Sequence, residues 1–115
     1  MATLSHEAYN RYRVMWIYVL FDLPTDTRQD VRNATGFRKF LLNDGFTMFQ
    51  YSVYFRHCSS RENVEVHKQR VYKNLPPKGK VCVFSVTDKQ FGDMEIFYGR
   101  KPKNNESGPK QLELF

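Results

Sequence analysis

Cysteine is scarce in this sequence, whose 115 residues include only Cys58 and Cys82. The two do not form a CxxC pair, and no other grouping of cysteine and histidine has the spacing of zinc ligands. This scarcity argues against a zinc site and against a disulfide framework. We expect both cysteines to be free thiols in a reducing cytoplasm.

The common catalytic signatures are also missing. The sequence contains no GxSxG, HExxH or Walker loop, and no serine, histidine and aspartate can be nominated as a triad from their spacing. An enzyme built on this chain would need a site of another kind.

Apolar runs long enough for a signal peptide or a membrane span are absent as well. The first 13 residues lack the apolar core of a signal peptide, and no run reaches the roughly 18 apolar residues of a membrane span. We therefore expect a cytoplasmic protein with no membrane partner.

What the chain does contain is enough apolar material for one domain and an excess of positive charge. Hydrophobic residues make up 41 % of it and aromatic residues 16 %. The net charge of +6 favours an anionic partner, with nucleic acid ahead of membrane, because no basic amphipathic helix with a bulky apolar face is present. A merely soluble basic protein fits the charge equally well.

One stretch stands out, the apolar run VMWIYVLFD over residues 14–22, which ends in Asp22 before Leu23 and Pro24. The run predicts a central strand covered on both faces, with Asp22 at its carboxyl end. Mg²⁺ needs only one or two carboxylates, and twofold symmetry could supply a second Asp22. Such an ion could activate water and neutralise a phosphodiester. The alternative is a turn-forming aspartate, which the residues alone favour.

A helix is predicted from Asp26 to about Asn43, with Thr27 and Asp30 at capping-box spacing. Asp44-Gly45 ends it. Its core arc is Val31, Ala34, Phe37 and Leu41. Arg28, Arg32 and Lys39 form a basic stripe on the far side, for which a solvated face is the simpler interpretation of three charges.

Arg38 falls within the apolar arc of this helix, where an unpaired guanidinium would be costly. Two outcomes stay open, a side chain that snorkels outward and one that has an acidic partner.

The rest of the chain alternates strand and helix signals. Residues 46–58 are too long for one strand, so we expect a kink, bulge or hairpin around Gln50 to Ser52. Ser59 and Glu62 predict the start of a second helix, whose inner side carries Val64, Val71, Leu75 and His67. For His67, a partly buried side chain with one hydrogen bond is favoured over a catalytic base. Strands are predicted over 80–87 and, shorter, over Met94 to Tyr98.

This order predicts the α+β class, a ferredoxin-like βαββαβ sandwich with an extra C-terminal strand and tail. The domain would span 14–98, between an extension at 1–13 and a polar tether and tail at 99–115. The tail alternates apolar and polar residues, which suits strand addition to a partner's sheet edge, although a frayed terminus is the commoner fate. The candidate partner-binding residues are Gln111, Leu112, Glu113, Leu114 and Phe115.

Several short motifs occur in an order that resembles the CRISPR-associated Cas-two (Cas2) family, the small subunit of the spacer-acquisition machinery, and in particular a type II system. They are Phe21-Asp22 with Pro24, FRKFLLNDGF at 37–46, Gln50 to Tyr54, VTDKQF at 86–91 and the QLELF tail. The resemblance covers about residues 14–98 and the tail, and leaves out residues 1–13.

The resemblance implies a homodimer of ferredoxin-like subunits, with the last strand or tail exchanged or laid across subunits. It implies a bridge between two dimers of the Cas-one (Cas1) integrase, whose basic surface holds duplex prespacer DNA. Many members are described as metal-dependent endonucleases acting on RNA or DNA, so single-stranded RNA is a further candidate partner. The family's acidic Mg²⁺ ligand corresponds to Asp22, with Phe21 and Ser52 next to it.

Three hypotheses follow. The first is the binding and assembly role, in which Arg28, Arg32 and Lys39 contact the duplex. The second is an Mg²⁺-dependent endonuclease with Asp22 as the catalytic and metal-binding residue. The third is a toxin-type endoribonuclease resembling virulence-associated protein D. Neighbouring genes discriminate the third, because integrase genes and a repeat array accompany the first and an antitoxin gene the third.

Overall fold

The computed structural model describes residues 14–100. In chain order the elements are β1 (Met15–Asp22), α1 (Arg28–Asn43), β2 (Thr47–Gln50), β3 (Val53–Cys58), α2 (Arg61–Lys73), β4 (Lys80–Thr87) and α3 (Asp88–Gly92). The strands form one antiparallel sheet in the order β2-β3-β1-β4. The predicted α+β class and ferredoxin-like order are confirmed.

β1 is a central strand, as predicted, because it pairs with β3 on one side and β4 on the other. Alternate residues of β1 point to opposite faces of the sheet. Ile17 and Val19 are fully buried on the face that α1 and α2 cover. Phe37 and Leu41 from α1 and Val71 from α2 complete this core.

The opposite face of the sheet is lined by aromatic rings. Trp16 stacks on Phe91 of α3 with ring centroids 3.7 Å apart, and its indole nitrogen donates a 2.7 Å hydrogen bond to Asp88. Tyr18 stacks on Phe84 of β4 at 5.1 Å. Burial raises the pKa of Tyr18, since the phenolate would be poorly solvated there. This aromatic face lies away from α1 and α2.

Several local signals have the predicted outcome. Thr27 and Asp30 form the expected capping box, and Asp44 caps the other end of α1. Residues 46–58 divide into β2 and β3 around Tyr51 and Ser52, and Ser52 has the left-handed φ of 70°. Cys58 and Cys82 are both free.

Two residues that were predicted to lie in the core, Val31 and Leu75, are exposed instead. Val31 is 46 % exposed, and Asp30 is buried in its place. The buried face of α1 begins one residue earlier than predicted. It contains Asp30, Ala34, Phe37 and Leu41, at spacings of four, three and four residues. Leu75 is exposed because α2 ends at Lys73, before the chain reaches it.

The predicted start of α2 is wrong by one residue. Ser60 is the N-cap, and its hydroxyl accepts a hydrogen bond from the Asn63 amide at 3.1 Å. Ser59 lies outside the helix, where its amide donates to the Asn63 side chain. The neighbouring serines offer the same capping chemistry, so sequence spacing does not separate them.

The predicted strand over Met94 to Tyr98 is not formed in the described chain. This segment follows α3, and Met94 lies over the aromatic face, where Tyr18 donates a hydrogen bond to its sulfur at 3.2 Å. A strand needs a neighbouring backbone to pair with, and this segment joins no ladder of the described sheet. Phe97 is 81 % exposed.

No helix within residues 14–100 is long and apolar enough to cross a membrane. The predicted extension at 1–13 and the tail residues 111–115 lie outside the described residues.

Candidate functional site

Asp22 lies at the carboxyl end of β1 with an exposed side chain. Strand alternation puts it on the same sheet face as Trp16 and Tyr18, and therefore opposite α1. Its register partner in β4 is Lys80, so the two side chains share one face of the sheet. An acid and an exposed amine thus stand next to each other at this end of the sheet.

Phe21 and Ser52 reach the same strand end in different ways. The Phe21 ring packs into the helix-covered core, 5.2 Å from the Phe37 ring, so only its backbone faces this site. Its amide donates a 3.1 Å hydrogen bond to the Ser52 carbonyl. The structure therefore brings the three predicted residues together, with Phe21 and Ser52 joined by their backbones.

Gly79 completes this end of the sheet. Its φ is +95°, and a Cβ there would lie 2.7 Å from the Asp22 carbonyl oxygen. A side chain would therefore push the start of β4 away from the end of β1. The glycine permits the close approach that places Lys80 opposite Asp22.

The donor set of one chain limits what metal it could hold. Among the described residues, no three His, Cys, Asp or Glu side chains are grouped as a metal cage. The Asp22 side chain makes no hydrogen bond or ion pair with another residue of 14–100, so its carboxylate oxygens are available. This single carboxylate fits a largely hydrated Mg²⁺, which keeps most of its waters.

The basic stripe of Arg28, Arg32 and Lys39 lies on the outer side of α1, where all three side chains are exposed. They border an open depression of about 450 Å³ whose other lining residues are Val31, Thr35 and Gly36. None of the three cations pairs with an acid in the part of the chain that is described. The stripe and Asp22 lie on opposite sides of the sheet.

Arg38 has an aromatic partner, which sequence reasoning did not consider. Its guanidinium donates a 2.8 Å hydrogen bond to the Tyr51 hydroxyl and lies 4.9 Å from the centre of the Tyr51 ring. Within residues 14–100 no acid pairs with it, and its Nε is buried without a hydrogen bond. Arg38 therefore fixes the tip of the β2–β3 hairpin through cation–π contact and a hydrogen bond.

His67 belongs to a structural network and not to a catalytic site. It is 3 % exposed, so it is fully buried and not partly buried as predicted. Its Nδ1 lies 2.7 Å from one carboxylate oxygen of Asp44, which is the single hydrogen bond that was predicted. Arg70 donates to the other oxygen of Asp44, also at 2.7 Å. This network ties the end of α1 to α2. Its burial keeps the imidazole away from any substrate.

Comparison with known proteins gives a consistent family. The family model for CRISPR associated protein Cas2 matches residues 15–94. The chain is 57 % identical over 106 residues to the CRISPR-associated endoribonuclease Cas2 of Flavobacterium psychrophilum, covering 92 % of each chain. It is 48 % identical over 101 residues to the protein of that name from Parvibaculum lavamentivorans, covering 88 % of this chain and all of the other.

A solved structure described as a crystal structure of cas2 superposes with a TM-score of 0.54 and covers 84 % of this chain and 99 % of the other. The sequence identity is 19 %, so this similarity supports the fold alone.

Proposed function

The chain belongs to the CRISPR-associated Cas2 family, and from that premise we propose that it is an adaptation subunit, in particular of a type II system. In this role it is a basic homodimer that bridges dimers of the Cas1 integrase and binds duplex prespacer DNA during spacer integration. The observation that carries the proposal is the row of unpaired cations on the outer face of α1.

Three observations favour a duplex backbone as the ligand of the basic stripe. Arg28, Arg32 and Lys39 carry no neutralising acid among the described residues, so their charge is available to phosphates. Gripping a backbone needs cations at suitable positions and no base-specific pocket. The net charge of +6 adds long-range attraction for the same ligand.

The homodimer is supported by exposed apolar residues outside α1. Phe84 on the aromatic face is 40 % exposed, and Phe97 and Tyr98 beyond α3 are 81 % and 58 % exposed. β4 and β2 are the edges of the described sheet and offer unpaired backbone groups. A second copy packed on the aromatic face and against a sheet edge would cover apolar surface and unpaired backbone groups. It would leave the outer face of α1 open to DNA.

The bridging role is tested by mixing the protein with Cas1 integrase and a duplex of prespacer length and measuring the mass of the assembly. We expect a complex with more than one integrase dimer per dimer of this protein. Deleting residues 111–115 should weaken the dimer or its docking to the integrase, by loss of strand addition. A chain that leaves integrase dimers separate would contradict the bridging role.

A second candidate function is an Mg²⁺-dependent endonuclease, favoured by the exposed, unpartnered carboxylate of Asp22. Both relatives described above carry endoribonuclease in their names. Bound Mg²⁺ would supply charge neutralisation and an activated water. Asp22 would hold the ion, with the partner subunit's copy as a second ligand. Lys80 would hold a phosphate oxygen on the same sheet face.

The toxin-type endoribonuclease resembling virulence-associated protein D remains the alternative. The family match over residues 15–94 favours the CRISPR role. A repeat array and integrase genes next to the coding sequence would support that role, and an antitoxin gene would support the toxin.

A further inference from the structure

Gly36 stands in the middle of α1, where glycine is costly and the described fold gives no reason for it. A Cβ built on Gly36 meets nothing within 4 Å, and its φ lies outside the left-handed region. Neither close packing nor a turn within residues 14–100 therefore requires it. Glycine weakens a helix interior relative to alanine, because the unfolded chain gains more freedom. An alanine here should make the protein more stable.

The position of Gly36 suggests what it serves. It lies four residues after Arg32 and three before Lys39, spacings that put side chains next to each other on a helix surface. It also lines the depression that these cations border. The helix backbone is thus uncovered at the point between two unpaired positive charges.

We infer that the phosphodiester backbone of a duplex contacts α1 at Gly36, an inference that rests on the proposed DNA-binding role. The missing side chain would let one phosphate lie against the helix backbone. Arg32 and Lys39 would then reach that phosphate and its neighbours from either side, and Thr35 would offer a hydroxyl donor. The ligand class is the sugar-phosphate backbone of a duplex, read without base contacts.

The test is the variant Gly36→Ala, measured for thermal stability and for duplex affinity at fixed salt. We expect the unfolding midpoint to rise by about 4–8 °C, which is the shift that the difference in helix propensity between glycine and alanine gives in a domain of this size. We expect duplex affinity to fall by about fivefold at physiological salt, the equivalent of one lost phosphate contact. A variant that is more stable and binds more weakly is the signature of a glycine kept for its ligand.

Two further variants make the test graded and controlled. Gly36→Gln places a longer neutral side chain at the same point and should weaken duplex binding more than alanine does. Gly92→Ala adds a methyl group at another open helical position, in α3, where a Cβ also meets nothing within 4 Å. Its duplex affinity should equal that of the parent.

The outcomes separate this inference from the function on which it rests. If the triple variant Arg28→Gln, Arg32→Gln, Lys39→Gln loses duplex affinity while Gly36→Ala and Gly36→Gln do not, the glycine is not the point of contact and the DNA-binding role stands. If none of these variants changes affinity, the DNA-binding role of α1 fails as well. If Gly36→Ala instead dissociates the dimer, the glycine serves a subunit contact and the inference is overturned.

Discussion

The outer face of α1 carries three exposed cations and no exposed acid, whereas the carboxyl end of β1 carries one exposed carboxylate opposite a lysine. The first arrangement fits the proposed binding of a duplex, because a phosphate backbone responds to placed charge. The second is insufficient for cleavage within one chain, because a metal-assisted displacement uses several convergent groups. One subunit would therefore supply the proposed DNA contact by itself, whereas the proposed cleavage would need further groups from outside that subunit.

The largest expected effect is at Asp22. Asp22→Asn keeps the side-chain shape and removes the charge that would hold Mg²⁺, so Mg²⁺-dependent cleavage of single-stranded RNA or duplex DNA should fall on the order of 100-fold or more. Duplex affinity should stay at the parental value, since Asp22 lies on the far side of the sheet from α1. Cleavage and filter-binding assays on the same preparation measure both.

The matched control is Asp26→Asn, an exposed aspartate in the loop after β1 that should leave cleavage unchanged. Equal cleavage by Asp22→Asn and the parent would assign the activity to a contaminant or another site. It would also remove the support for an endonuclease site at Asp22.

A smaller effect distinguishes a structural carboxylate from a functional one. Asp44→Ala leaves the buried His67 and the guanidinium of Arg70 without their acceptor, which should lower the free energy of unfolding by about 2 kcal/mol. Asp22→Ala removes no such bond within residues 14–100 and should leave stability nearly unchanged. Urea titration of both variants measures this contrast. A similar loss for Asp22→Ala would identify Asp22 as a structural residue.

The smallest expected effect uses the two cysteines as reporters. Cys82 is exposed and pairs with Leu20, so it lies on the same sheet face as Asp22. Cys58 is buried, and burial raises the pKa of its thiol, so it should be labelled more slowly than Cys82. The proposed second copy would pack on this face as well, so labelling is compared at one protein concentration with the dimer population held fixed. Under that condition, duplex bound at α1 should leave the labelling rate of Cys82 unchanged. Strong protection of Cys82 by duplex would place DNA on the aromatic side and would contradict binding at α1.

Local signals were enough to predict β1, α1 and β4, because apolar runs and capping residues act within a few positions of each other. They also predicted where Asp22 stands. They did not predict Lys80 opposite Asp22 or Tyr51 against Arg38, since strand register and hairpin placement create those contacts across long stretches of chain. The missing strand over Met94 to Tyr98 has the same origin, because its side chains suit a strand while the described sheet offers it no pairing.

Binding of duplex DNA to the outer face of α1 is the proposal on which the other predictions depend. It is tested most directly by the salt dependence of duplex affinity in the triple variant Arg28→Gln, Arg32→Gln, Lys39→Gln. The control removes three charges from α2 instead, by Arg61→Gln, Lys68→Gln and Lys73→Gln. We expect the slope of log affinity against log salt to flatten by about 0.9 for each lost phosphate contact in the α1 variant alone. Equal slopes in the two variants would contradict it.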